Sequence, residues 1–545
     1  MLVSVYDNFV QASDRSIGKP SEERLDIATY GLASEIGSVV AAIKKRLLAE
    51  GGVEDWNHAN EEIIEELGDV IWYCFSLARS ANRKRPINIF ALDIVNLKRE
   101  IGADNARADR IRGVLDKSKR TEFLKAAKRF PKKTKSMAFE DYQRVAFLTA
   151  RTEDRTLVEV CLAVLWQLSA QLFRRKLSPL ERELNHALVD KSINDILGEI
   201  AWHIAALASI YKLQLSDIAQ RNVEKVSHRL DRRHPTPHHD QRFPTSEQFP
   251  RRFEVAFVTF TKGRSRMYLD DRRLGDDLTD NAYDDDGYRY HDIMHLANVA
   301  KLGWSPVFRG LMGRKRKSVE VTDEVEDGAR AKIVEEAVIK AIHSEGQRLA
   351  ALRGYAPSSQ PLRLFSKSSD ITFRFLKLIR SFVSDLEVHK NRDWEWEEAI
   401  LDGHKIFHLL RCEGQGTVIV DLDARSIVFK PEVCVCLDGR VAGLGSAFLE
   451  CSLPGARGVS EDETAKFRST AQRLAILDSL GMHQPTALDL ETLQIKSIEG
   501  KGISVKATGS TQSAMWARKI VAFRTTIATT SSGSLHCMAI ALADD

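Results

Sequence analysis

Residues 65–78 read EELGDVIWYCFSLA, with Glu66 and Asp69 three residues apart at the mouth of a run that turns almost wholly apolar. The period of that run predicts a helix carried into a core. Side chains at i, i+3 and i+4 share a helix face, so Glu62, Glu66 and Asp69 line up. Like charges in that arrangement repel and destabilise the helix unless a proton or a cation neutralises them. An earlier helical stretch, GLASEIGSVVAAIKK (31–45), carries Glu35. If the two helices pack side by side, Glu35 faces the row and an oxygen-only cage results, a ligand set that suits Mg²⁺ or Mn²⁺ over zinc. The plainer reading is a solvated acidic face. Against it stand Val70, Ile71, Trp72 and Phe75, which follow directly, and Gly37 and Gly68, which cost helix stability unless close packing requires them.

The same rhythm returns at 195–208, DILGEIAWHIAALA. A shift of 130 residues lays Leu67-Gly68 on Leu197-Gly198, Asp69 on Glu199, Trp72 on Trp202 and Leu32-Ala33 on Leu162-Ala163. Each copy then closes with a further helix, NIFALDIVNLKRE in the first and QLSDIAQRNVEKVSHR in the second. An internal duplication is the expectation. Glu35 corresponds to Leu165, Ser38 to Leu168 and Glu66 to Ile196, so only Glu199 keeps an acid in the second copy. That half cannot hold a divalent cation.

The chain has 545 residues, 43% hydrophobic and 29% charged, with a formal charge of +4. That length exceeds one hydrophobic core. The near-balanced charge gives no reason to expect a nucleic-acid partner. Seven cysteines without a CxxC, no basic and apolar leader and no long uncharged apolar run point to a reduced cytoplasmic setting without membrane insertion. Cys434 and Cys436 of CVC are expected to share one face of a strand. The expected class is multidomain, an all-α N-terminal region followed by α+β domains. The boundaries are a helical copy at 1–105, a degenerate copy at 106–230, a proline-rich linker at 231–250, an α+β domain at 251–430 and a second at 431–545.

E-I-G-S at 35–38 followed by E-L-G-D at 66–69 resembles the paired ExxE and ExxD signature of MazG-like all-α nucleoside triphosphate pyrophosphohydrolases. The resemblance implies Mg²⁺ held by Glu35, Glu66 and Asp69, and cleavage of a nucleoside triphosphate to the monophosphate and pyrophosphate. It also places Asn96 and Lys98 of NLK as a late polar pair for substrate, and we group Lys44 and Lys45 with them. Ser38 replaces the family's second Glu, and Glu62 is the candidate to compensate. Family subunits form helical dimers, so the two copies are expected to pair as an intramolecular pseudo-dimer with one active and one inert half, or to assemble further as a homo-oligomer.

In the middle region, YRYHDIMHLANVAKLGWSPVFRGLMGRKRKS (288–318) puts His291 and His295 at i, i+4 with Asp292 beside the first. That spacing can ligate a metal, although the Glu of HExxH is missing; two such histidines are more often packed core residues. Arg314 and Lys315 of RKRK are candidates to grip phosphate. Glu326, Asp327, Arg330 and Glu335 recur at helical intervals downstream, completing a possible second site. Residues 251–430 resemble the C-terminal domain joined to MazG-like modules. The last region resembles holo-acyl-carrier-protein synthases in the order of its segments. Ala447 and Leu474 stand where that family has its Asp and Glu, which implies a binding or dimerisation module without the transferase chemistry.

Function therefore has three readings. The first is a Mg²⁺-dependent pyrophosphohydrolase acting in nucleotide-pool cleaning or phage defence. The second is a nucleotide sensor or assembly subunit on the same scaffold, favoured by Ser38 and the inert copy. The third is a nucleic-acid-directed hydrolase centred on His291, Asp292 and His295, whose ligand set is incomplete.

Overall fold

The computed structural model describes residues 1–48, 53–82, 88–102, 117–128, 130, 136–153, 155–177, 180–181, 191–355, 361–435, 440–449, 461–498, 502–529 and 534–544. The chain divides into two compact units, Met1–Asp231 and Arg232–Asp545. It is multidomain, all-α in the first unit and α+β in the second.

The helices of the first unit are α1 (Val3–Ser13), α2 (Ser21–Leu48), α3 (Val53–Ala81), α4 (Ile89–Gly102), α5 (Lys117–Ala127), α6 (Phe139–Phe147), α7 (Arg155–Arg174), α8 (Ile193–Ile210) and α9 (Leu215–Leu230). Helix α2 starts with Glu22 and Glu23 and ends with Lys45 and Arg46, charges that complement its dipole. Helix α8 is capped by Ser192, whose hydroxyl accepts from the Asp195 amide, and Ile196 through Ala208 are buried without a break. Helix α7 is long and apolar enough to cross a membrane, yet its Leu157, Cys161, Leu165, Leu168 and Leu172 stripe is buried within the bundle.

Contacts across this unit come in matched pairs. The Val3 amide donates to the Met137 carbonyl (2.9 Å) and the Phe139 amide to the Met1 carbonyl (3.1 Å). The Trp72 indole donates to Ser13 (3.1 Å), and the Trp202 indole to Thr149 (2.9 Å). Each glycine helix also meets the closing helix of the other half. A Cβ on Gly68 of α3 would lie 3.0 Å from Asn222 Cβ of α9, and one on Gly198 of α8 would lie 3.2 Å from Asp93 Cβ of α4. Those glycines are kept by the closeness of two helix axes, as their cost in a helix interior demands.

The second unit is built on an antiparallel sheet in the order β3-β2-β1-β4-β5, comprising β1 (Arg252–Thr261), β2 (Arg264–Leu269), β3 (Arg272–Leu278), β4 (Gly416–Asp421) and β5 (Ser426–Lys430). Asp270 and Asp271 join β2 to β3 with φ of 48° and 62°, the left-handed pair of a tight hairpin turn. Strand β1 is buried on both faces. Phe253, Val255 and Phe257 meet residues of α10 (Asp292–Leu302) and α15 (Asp393–Glu413). Ala256, Val258 and Phe260 form a second cluster with Val433, Val521 and Leu542. Between those helices run α11 (Pro306–Leu311), α12 (Glu320–Val325), α13 (Ala329–Leu352) and α14 (Phe373–Ser381). The last part adds β6 (Arg440–Leu449), α16 (Glu461–Ser479), α17 (Ala487–Glu491), β7 (Leu493–Ile498), β8 (Gly502–Ala507), α18 (Gly509–Ala517), β9 (Ile520–Thr529) and β10 (Leu535–Ala543). They form a β6-β10-β9 sheet and a β7-β8 hairpin.

Two features differ from the expected organisation. The stretch expected as a linker at 231–250 is laid into the second unit. Asp240, 1% exposed, accepts from the Phe249 amide (2.9 Å) and pairs with Arg309 (3.0 Å) and Arg251 (2.9 Å). Its prolines break helices, but a buried carboxylate anchors the backbone. The expected cut near 430 runs through a shared core, since the Tyr268 hydroxyl also donates to Asp544 (2.8 Å) and the Trp516 indole to the Thr259 carbonyl (3.1 Å). Cys434 precedes β6 outside any strand, and Cys436 lies outside the described residues, so their shared strand face is not addressed.

Candidate metal centre

Helices α2 and α3 lie side by side, and Glu35, Glu66 and Asp69 each place a carboxylate oxygen within 4.8 Å of the others. All three are half-buried. Burial, then the charges of Asp69 and Glu66, push the Glu35 carboxyl up to about 7, with Lys225 pulling it the other way. Three carboxylates in partial burial are a frustrated group, and a proton or a hard cation relieves it. An all-oxygen donor set of this kind fits a divalent cation such as Mg²⁺ or Mn²⁺.

Two residues that sequence reasoning missed complete the group. Asn222 on α9 donates from its amide nitrogen to Asp69 Oδ1 (2.8 Å) and accepts from the Tyr6 hydroxyl (2.7 Å). Lys225, one turn on, pairs with Asp69 and with Glu65 (3.0 Å). Burial works to lower the Lys225 pKa, but Asp69 and Glu65 outweigh it and raise it, so the ammonium stays charged. The signal was present in RNVEK, where Asn and Lys at i, i+3 share a face of α9. Gly68 brings that face within reach.

Other candidates in the first unit fall elsewhere. Glu62 stands outside the trio and pairs with Lys45 (2.7 Å), so neither the compensating ligand nor a free phosphate-binding Lys45 is formed here. Lys44 is exposed on the last turns of α2. Asn96 donates to Asp195 (2.8 Å) because α4 packs on α8 of the other half, and Lys98 goes with the same helix. In that half, Leu165, Leu168 and Ile196 are packed core, and Glu199 is held by Lys191 at 2.5 and 2.6 Å.

In the second unit, His291, Asp292 and His295 converge at the start of α10, with ligand atoms within 4.8 Å of one another. Glu335 joins them from α13, its Oε1 lying 2.8 Å from His295 Nδ1. Glu336 was missed by the sequence reading; its carboxylate lies 3.3 Å from His295 Nε2 and 3.6 Å from His291 Nε2. The remaining candidates are taken up by other partners, some buried and some at the surface. Arg314 donates to the Thr245 and Ser246 carbonyls, and Lys315 pairs with Asp323 (2.7 Å). Glu326 accepts from the Glu387 amide (3.0 Å), Asp327 is buried against Arg316 (2.7 Å), and Arg330 pairs with Asp385 (3.2 Å). The RKRK run therefore does not form a phosphate grip; Arg316 is fully buried and only Lys317 is freely exposed.

Two stretches of the chain match known family models. Residues 26–92 match the model of the MazG nucleotide pyrophosphohydrolase domain, and residues 234–433 match that of the MazG C-terminal domain. The chain carries both MazG domains. The first match spans Glu35, Glu66 and Asp69. The second contains His291, Asp292, His295, Glu335 and Glu336. The family matches end at residue 433, and the resemblance of the last region to holo-acyl-carrier-protein synthases is not among them. No curated protein and no solved structure matches the chain.

Proposed function

We propose that the first unit is a Mg²⁺-dependent nucleoside triphosphate pyrophosphohydrolase, releasing the monophosphate and pyrophosphate. The observation that carries it is the convergence of Glu35, Glu66 and Asp69 on one point of the α2–α3 pair. Those three residues would hold the cation, which supplies charge neutralisation at the phosphates and a more acidic bound water. The chain's own residues do the rest. Asn222 fixes the rotamer of Asp69, with Tyr6 fixing Asn222 in turn. Lys225 offsets part of the carboxylate charge and lowers the proton affinity of Glu35, keeping it available as a ligand near neutral pH.

On this reading the second helical copy serves the first as an intramolecular pseudo-dimer partner, having exchanged its own carboxylates for core. Nucleotide-pool cleaning and phage defence both suit such an activity, in a cytoplasmic setting. The competing reading, a nucleotide sensor disarmed by Ser38, makes a different prediction. Pyrophosphate release from a panel of canonical and modified nucleotides, with Mg²⁺ or Mn²⁺, is compared among wild type, Glu66→Gln and Ser38→Glu. Turnover lost in Glu66→Gln is expected. Activity seen only in Ser38→Glu would establish the sensor instead.

A further inference from the structure

The cluster at the start of α10 has its own chemistry. His291 Nδ1 donates to the Tyr288 carbonyl (2.9 Å), and the Tyr288 ring stacks on the imidazole with centroids 4.5 Å apart. In the neutral ring this leaves Nε2 with its lone pair, facing the Glu336 carboxylate at 3.6 Å. Two electron-rich groups facing each other require something positive between them. His295 is fully buried, and neither of its ring nitrogens makes an aligned hydrogen bond among the described residues, although Glu335 and Glu336 flank it. Asp292 is 5% exposed, and its carboxylate lies within 4.8 Å of a ring nitrogen of each histidine. Buried polar groups are ordinarily satisfied, so the two ring nitrogens of His295, set beside Asp292 and His291, call for a partner.

A carbonyl or carboxylate against the remote nitrogen of each imidazole is what orients a metal-ligating histidine. Glu335 is itself fixed for this, accepting from Asn298 (3.3 Å), Ser305 (3.0 Å) and the Val307 amide (3.1 Å). Ligand atoms around one cation bound at about 2.1 Å lie within about 4.2 Å of one another, so the observed group needs only a slight contraction. We propose that His291, Asp292 and His295, with Glu336 as fourth ligand, bind one divalent first-row transition cation in the second unit. Imidazole with carboxylate selects such ions over Mg²⁺, which sets this site apart from the all-oxygen group of the first unit. Glu336 is 44% exposed, so the site is open on its flank, where a small ligand could approach the cation.

The test uses the full chain carrying Glu35→Gln and Glu66→Gln, which disables the all-oxygen group. Zn²⁺ and Co²⁺ are titrated after chelation and dialysis, and the bound metal is examined by X-ray absorption. One equivalent per chain with imidazole scattering is expected. Asp292→Asn and His291→Ala, the latter at the partly exposed edge, should each weaken binding at least ~100-fold, beyond what loss of an orienting group does, with melting temperature followed as a check on folding. Failure to retain an equivalent, or equal binding in both variants, would overturn the site. So would nitrogen NMR showing His295 doubly protonated in the presence of Zn²⁺, since the cluster would then be an imidazolium clamped between Glu335 and Glu336.

Discussion

Lys225→Met removes an ammonium that reaches the carboxylate trio from α9 while keeping the bulk of the side chain. Lys225 is about a quarter exposed and pairs with Asp69 and Glu65. One unit pair at 3 Å is worth roughly 5 kcal/mol gross at an effective dielectric constant of about 20. Solvent access and the cation that shares the site reduce this to about 1.4–3 kcal/mol, or roughly ten- to a hundredfold in kcat/KM. A second readout separates chemistry from structure. Lys225 lowers the pKa of Glu35, which stands at about 7, so its loss should move the acid limb of the pH profile to higher pH. The assay is pyrophosphate release at subsaturating Mg²⁺ from pH 5.5 to 9, with a melting curve for each protein. A limb that stays in place, with activity within twofold of wild type, would refute the composite site.

The glycine contacts predict a contrast. Gly68→Ala should cost about 1–3 kcal/mol through crowding at Asn222 and also reduce activity, whereas Gly198→Ala should cost a similar amount by denaturant melt and spare turnover. In metal-free protein, Glu35 is protonated more readily in the folded chain than in the unfolded one. It thus stabilises the first unit below about pH 4.5, and that contribution is lost as pH rises through about 7. Glu35→Gln should flatten this slope in melts with chelator, and added Mg²⁺ should restore stability to the wild type alone. Asp327→Ala removes the bidentate partner of the buried Arg316 guanidinium, leaving its pair with Glu387, and should destabilise the second unit by about 2–3 kcal/mol, measured by differential scanning calorimetry.

The helical region and the Glu66–Asp69 row were legible because both rest on local periodicity, which one sequence displays; Glu35 joined them through the paired motif and an assumed packing of two helices. Asn222 and Lys225 were not, because their role depends on which helix crosses Gly68, a tertiary fact. Asn96 had the right residue type on the wrong helix for the same reason. RKRK looked like a surface grip because charge runs usually are; only the fold reveals Asp327, Glu387 and the Ser246 carbonyl waiting for it. The proline-rich stretch near 240 misled in the opposite direction, since one buried aspartate is enough to pin it.

That α9 lies in the same chain as α3 has a consequence for dilution. In a two-chain assembly, a site finished by the partner's helix empties as concentration falls through the dissociation constant. A covalent tether replaces that equilibrium with a fixed effective concentration, commonly in the millimolar range for short connections. Specific activity per chain should therefore be independent of protein concentration. The positions opposite the trio then need no carboxylates of their own, and Leu165, Leu168 and Ile196 are packed as core there.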